Sequence, residues 1–104
     1  MIITTSDQVA EKTIARTIGL IRGNTIRARH VGQDFMAGLK KIVGGEISAY
    51  TEMMSEAREE AIKRMEEDAK KQGANAIVSM RLATSMIMQN ASEVLAYGTA
   101  VVLE

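Results

Sequence analysis

Apolar residues recur at intervals of three and four along one long stretch of the chain: Tyr50, Met53, Met54, Ala57, Ala61, Met65 and Ala69. At 3.6 residues per turn this spacing gathers them on one face of an α-helix. Ser48 offers a side-chain acceptor for an N-cap, and Gly73 can take the left-handed conformation that ends a helix. A helix is therefore predicted from 48 to about 72. On its opposite side Glu59 and Lys63, Glu60 and Arg64, Glu66 and Lys70, and Glu67 and Lys71 stand four apart, acid first. Each such pair adds about 0.2–0.5 kcal/mol to an isolated helix, so burial of the apolar stripe matters more.

The other segments carry weaker patterns. Phe35, Met36, Leu39, Ile42 and Val43 mark one face of a short helix from Gln33 to Val43, with Asp34 near its start and Gly44-Gly45 as its stop. Met1 to Thr4 is a short β-prone piece. Between Lys12 and Arg29, Ile14, Arg16, Ile18, Leu20 and Arg22 share one parity of a strand, and Gly23-Asn24 predicts a bend or hairpin. The arginines on that otherwise apolar parity imply either a bulge or side chains that reach a partner's carboxylates. Val78, Met80, Leu82, Thr84, Met86 and Met88 alternate again, Gln89 to Ser92 read as a turn, and Val94 to Leu103 form a closing strand. Gly98, at the middle of that strand, signals a bulge or a close backbone approach. The order is two strands, two helices, two strands. It predicts an α+β fold: a small antiparallel sheet with two helices packed on one face.

Composition narrows this picture. At 104 residues the chain is a single domain, 1–104. It holds three aromatic residues, no Trp and eight Met, so flexible thioethers fill volume that rings usually occupy. A core of that kind invites cover from neighbouring subunits. Net charge is zero, but residues 1–45 carry seven Lys/Arg against three acids, and residues 46–104 carry six against ten. The halves, at +4 and −4, are suited to pair within a protomer or across a homo-oligomer interface. With no Cys there is neither a disulfide framework nor a thiolate metal site. The N-terminal residues lack a secretory pattern and no apolar run approaches the roughly 20 residues that cross a bilayer, so a cytoplasmic protein without a membrane partner is expected.

Several spaced blocks carry a family resemblance: Asp34-Phe35-Met36-Ala37, Ile42-Val43-Gly44-Gly45, Tyr50, Ala57-Arg58, Gly73-Ala74-Asn75-Ala76-Ile77-Val78 and Gly98-Thr99-Ala100-Val101. Together they resemble the YbjQ-like family of small uncharacterised proteins, nearly end to end. The resemblance implies a dodecin-like subunit assembling as a homopentameric ring, and a heavy-metal-binding label. Two positions depart from the family pattern: Ser79 to Thr84 lack the expected aromatic or acidic residues, and Glu46 replaces an Arg that often follows the paired glycines.

Candidate chemistry is sparse. A soft-metal site needs thiolates, imidazoles or thioethers, and the chain offers His30, Asp34 four residues on, and Met36, Met53, Met54 and Met80. Met at helix and strand spacing belongs more naturally to a core. Only a site shared between copies around a ring axis would multiply so few ligands. For catalysis, no spacing links His30 as a base to Glu46 or Glu52, and Ser48, Thr51 and Ser55 lack the glycines of a nucleophile elbow. Tyr50 and Tyr97 read as half-buried packing residues. Gly44-Gly45 follows a helix rather than opening one, which excludes a phosphate-cradling loop. Arg16, Arg22, Arg27 and Arg29 are potential phosphate contacts, but so few aromatics and zero net charge argue against nucleic acid.

The sequence thus leads to a non-enzymatic homo-oligomer, most simply a pentamer, that binds or scaffolds, with no cofactor and no assigned site residue. The alternative is a heavy-metal or small-ligand site formed between subunits. Reversing the charge of Arg16 or Arg22 is expected to weaken assembly.

Overall fold

Four strands and one helix make up the described part of the computed structural model, which covers residues 1–28, 45–89 and 91–104, with backbone alone for 45–50. They run in chain order as β1 (Ile2–Ile3), β2 (Ile14–Ala28), α1 (Gly45–Lys71), β3 (Ala76–Met88) and β4 (Ala91–Leu103). The short helix expected from Gln33 to Val43 lies outside the described residues.

The strands form one sheet in the order β1-β3-β4-β2. It is mixed rather than antiparallel: β1 runs parallel to β3, with Ile2 opposite Ala76 and Ile3 opposite Ile77. An alternation of apolar and polar residues specifies which side faces a core but not strand direction. Backbone bonds from Thr4 N to Ile77 O (2.9 Å), Met80 N to Thr4 O (3.0 Å) and Ser79 N to Ser6 O (2.8 Å) extend that pairing beyond the two-residue strand.

The bend expected at Gly23-Asn24 is absent. β2 continues through it, with Gly23 opposite Ala96 and Asn24 opposite Leu95 on β4. Glycine is needed there for proximity, because a Cβ at Gly23 would collide with the Met65 backbone nitrogen and the Ala61 carbonyl of α1. The arginine misfit resolves into bulges. The β2–β4 register shifts between Ile14 and Arg16 and again between Thr17 and Gly19, and Gly19 adopts φ +134°. After these shifts Ile21, Gly23 and Thr25 are buried, while Arg22 points away from the helix between exposed Leu20 and Asn24.

α1 is already helical at Gly45, so Ser48 lies inside it rather than capping it. Once a helix is nucleated, each added residue gains a hydrogen bond, and one favourable cap position within it does not interrupt propagation. The apolar stripe is as expected: Met54, Ala57, Ala61, Met65 and Ala69 are buried against Ile21, Ile77, Val94, Ala96 and Ala100 of the sheet. Small alanines facing a strand glycine bring the layers close enough for Thr25 Oγ1 to donate to Ala57 O at 3.0 Å. Two of the expected ion pairs form, Glu60–Arg64 at 3.3 Å and Glu66–Lys70 at 3.1 Å. At the end of α1, Gly73 takes φ +90°. Its N–H donates to Lys70 O at 3.1 Å, and that of Ala74 to Ala69 O at 3.0 Å, the paired bonds of a Schellman cap.

Asn75 then serves as a surrogate strand residue. Its Nδ2 donates to Leu103 O at 3.0 Å and its Oδ1 accepts from Leu103 N at 2.7 Å. On the opposite side of the sheet, Ala76, Val78, Val101 and Leu103 form a smaller cluster partly covered by Val9. Gly98 meets both expectations for it. A Cβ there would lie 2.8 Å from Ile77 Cγ2 and 3.0 Å from Val78 O, and it faces the register shift between Val78 and Arg81, where Ser79 has φ 54°.

Candidate functional site

Burial sorts the residues to which chemistry was assigned. Met54 is buried in the core, and Met53 and Met80 pack against its margin. Their thioethers are occupied as apolar filler, so they do not form an open soft-metal site. No group of three or more His, Cys, Asp or Glu converges among the described residues. Those residues therefore do not fit a resident heavy metal. Arg29, His30, Asp34, Met36 and Gly44 lie outside the described residues, and the side chains of Glu46, Ser48 and Tyr50 are likewise outside them. Glu52, Thr51 and Ser55 are exposed on α1. Gln8, Val9, Lys12, Thr13 and Ile14 line an open hollow of about 270 Å³ beside the start of β2, with one charged group among them.

Two surfaces have more content. The first is the pair of sheet edges. β2 has β4 as its one neighbour, which leaves the outer edge of Ile14–Ala28 without a strand among the described residues. β3 meets β1 only at Ala76 and Ile77, and beyond the bonds of Ser79 and Met80 its edge from Arg81 to Met88 is likewise bare. Large apolar side chains lie exposed along both: Leu20 and Ile26 on β2, and Leu82, Met86, Ile87 and Met88 on β3. Leu82 and Met86 stand opposite Ala96 and Ser92, on the helix side of the sheet. Here α1, seated over β2 and β4, does not reach them.

The second surface is the face away from the helix. Tyr97 on β4 is directly opposite Arg22 on β2 and directly opposite Arg81 on β3. Residues so paired share a face with Cβ atoms about 4.5–5.5 Å apart. A tyrosine, 36% exposed, therefore stands in one row between two arginines on three adjacent strands. Arg81 Nη1 donates to Thr5 O at 2.9 Å and to Met80 O at 2.8 Å, which anchors it. Further along the same face Asn24 Nδ2 donates to Glu93 Oε2 at 3.0 Å, a diagonal bond between β2 and β4. Sequence reasoning missed this row. Its trace was Arg22 on an apolar parity, but the cross-strand register that joins Arg22, Tyr97 and Arg81 depends on two bulges that alternation does not encode.

Comparison with known proteins gives a consistent picture. The family model described as "Putative heavy-metal-binding" matches residues 1–104. A UPF0145 protein of Dehalococcoides mccartyi is 61% identical over 104 residues, covering all of both chains. Another, of Methanosarcina acetivorans, is 56% identical over 101 residues, covering 97% of this chain and 95% of its own. A crystal structure from Pediococcus pentosaceus, described as a protein of unknown function of the DUF74 family, superposes with a TM-score of 0.62 at 16% identity, covering 100% of this chain and 98% of that one. That likeness establishes a shared fold. No described helix is long and apolar enough to cross a membrane. With the whole length matched, the chain belongs to the YbjQ/UPF0145 family.

Proposed function

We propose that this protein is a non-catalytic homo-oligomer whose copies join by pairing strand edges, acting as a binding or scaffolding ring. The observation that carries this reading is the sheet with two edges that lack a strand neighbour among the described residues, each accompanied by exposed large apolar side chains. Such edges are templates for further strand pairing, and proteins that keep them usually cover them. The radius of gyration is 17.3 Å, against about 13 Å for a compact chain of about 100 residues. An elongated subunit with open flanks gains core from its neighbours. Joining the β2 edge of one copy to the β3 edge of the next is a head-to-tail contact, which closes into a ring when the rotation per copy divides a full turn. Five is the number that the family resemblance implies.

Sedimentation equilibrium at micromolar concentration tests the reading. The expected species has about five times the 11.3 kDa chain mass. Arg16, exposed on the β2 edge strand, is expected to make Arg16→Glu shift that mass toward the monomer. A folded 11.3 kDa species of the native chain would overturn the reading.

The family description favours a second reading, a heavy metal or small ligand held between subunits. Since the described residues of one copy do not supply a ligand set, this reading requires donors from more than one copy. Calorimetry with zinc, copper and cadmium on metal-stripped protein tests it; absence of binding heat removes it.

A further inference from the structure

We infer that the sheet face opposite α1 carries a binding site for a small planar anion, a ring compound bearing phosphate or carboxylate, built from Arg22, Tyr97 and Arg81. The three residues lie in register across β2, β4 and β3, so ring and cations are set by the sheet rather than by loops. A sheet holds such a row rigidly, which lowers the ordering cost of binding.

The donors are available. Arg81 uses Nη1 for the carbonyls of Thr5 and Met80. That leaves Nε–H and the Nη2 hydrogens, the edge of the guanidinium that grips a carboxylate or phosphate with two parallel bonds. Among the described residues Arg22 has no hydrogen-bond or ion-pair partner, and no carboxylate pairs with Arg81. Glu93, the acid that the paired strands place on this face, is bonded to Asn24. Two arginines without a carboxylate partner among the described residues, in one row with an exposed tyrosine, attract negative charge, and the face of Tyr97 offers a stacking surface for a planar group. Leu95 and Leu20, on the adjoining rows of the same face, give apolar surroundings to that group.

Charge decides the class of occupant. A neutral ring would leave both guanidinium groups unanswered, and a bare anion would leave the tyrosine unused. A compound carrying both satisfies the whole row. The inference extends beyond the assembly reading and does not depend on it, since edge pairing leaves this broad face open.

The test uses the full chain and AMP as the probe, with adenosine and inorganic phosphate as separate arms, read by calorimetry. AMP is expected to bind more tightly than either arm. Arg22→Gln and Tyr97→Ala are each expected to weaken AMP roughly tenfold or more, as loss of a charge-assisted bond or a stacking partner would. Both positions are exposed, and unchanged melting temperatures would exclude misfolding as the cause. No AMP binding, equal binding of phosphate, or unaltered affinity in both variants would overturn the inference. Retention of a single-stranded oligonucleotide at concentrations where AMP does not bind would also overturn it, because that would assign the face to a nucleic-acid strand.

Discussion

Single atoms decide the fit between helix and sheet. Gly23 lies where α1 crosses β2, and any side chain there meets the Met65 nitrogen and Ala61 carbonyl, which are backbone and cannot rotate aside. Gly23→Ala is expected to destabilise the protein by about 1–3 kcal/mol through overpacking, measured as a lowered urea midpoint with little change in slope. An unchanged midpoint would mean the layers are further apart than described. This residue also marks a limit of sequence reading. Gly followed by Asn is a strong turn signal in a sequence. The competing use of glycine, admitting another backbone, depends on what lies across the fold and leaves no local mark. Gly98 was easier, because a glycine between apolar strand residues already asks for a bulge or a close approach, and both are present.

Elements end where their chemistry requires. The C-terminus of α1 was legible because Gly73 follows a periodic stripe, and it takes the left-handed φ of +90° with both bonds of the cap in place. Gly73→Ala forces a Cβ into that conformation and is expected to cost about 1 kcal/mol or more, visible as a lower melting temperature. A variant as stable as the native chain would show that the cap contributes nothing. The start of the same helix was misplaced, since Ser48 is a good cap by composition yet lies within a turn already propagating from Gly45. In β2 the alternation failed for another reason. One inserted residue, at the shift between Thr17 and Gly19, reverses its parity, so Arg16 and Arg22, on the same side by counting, emerge on opposite sides of the sheet. The Arg22–Tyr97–Arg81 row was hidden for that cause.

At the scale of the molecule, the sheet is wider than the helix that covers it. Leu82 and Met86 lie on the helix side but beyond its reach, with Met86 77% exposed. If copies cover one another there, Leu82→Lys together with Met86→Lys is expected to shift the population to folded monomers, seen as loss of mass in light scattering with unchanged circular dichroism. Full assembly by this variant would exclude that surface from the contact. The α+β class was readable from the order of patterns, while the parallel docking of β1 was not, since two isoleucines carry no directional information. The strand order has one more consequence. β4 is the strand that joins β2 to the β1–β3 pair, and α1 rests across it and β2. Peeling away either outer strand would leave the rest of the sheet joined, but withdrawing β4 would split it through the middle. Loss of order is therefore all-or-none at β4 and gradual at the margins.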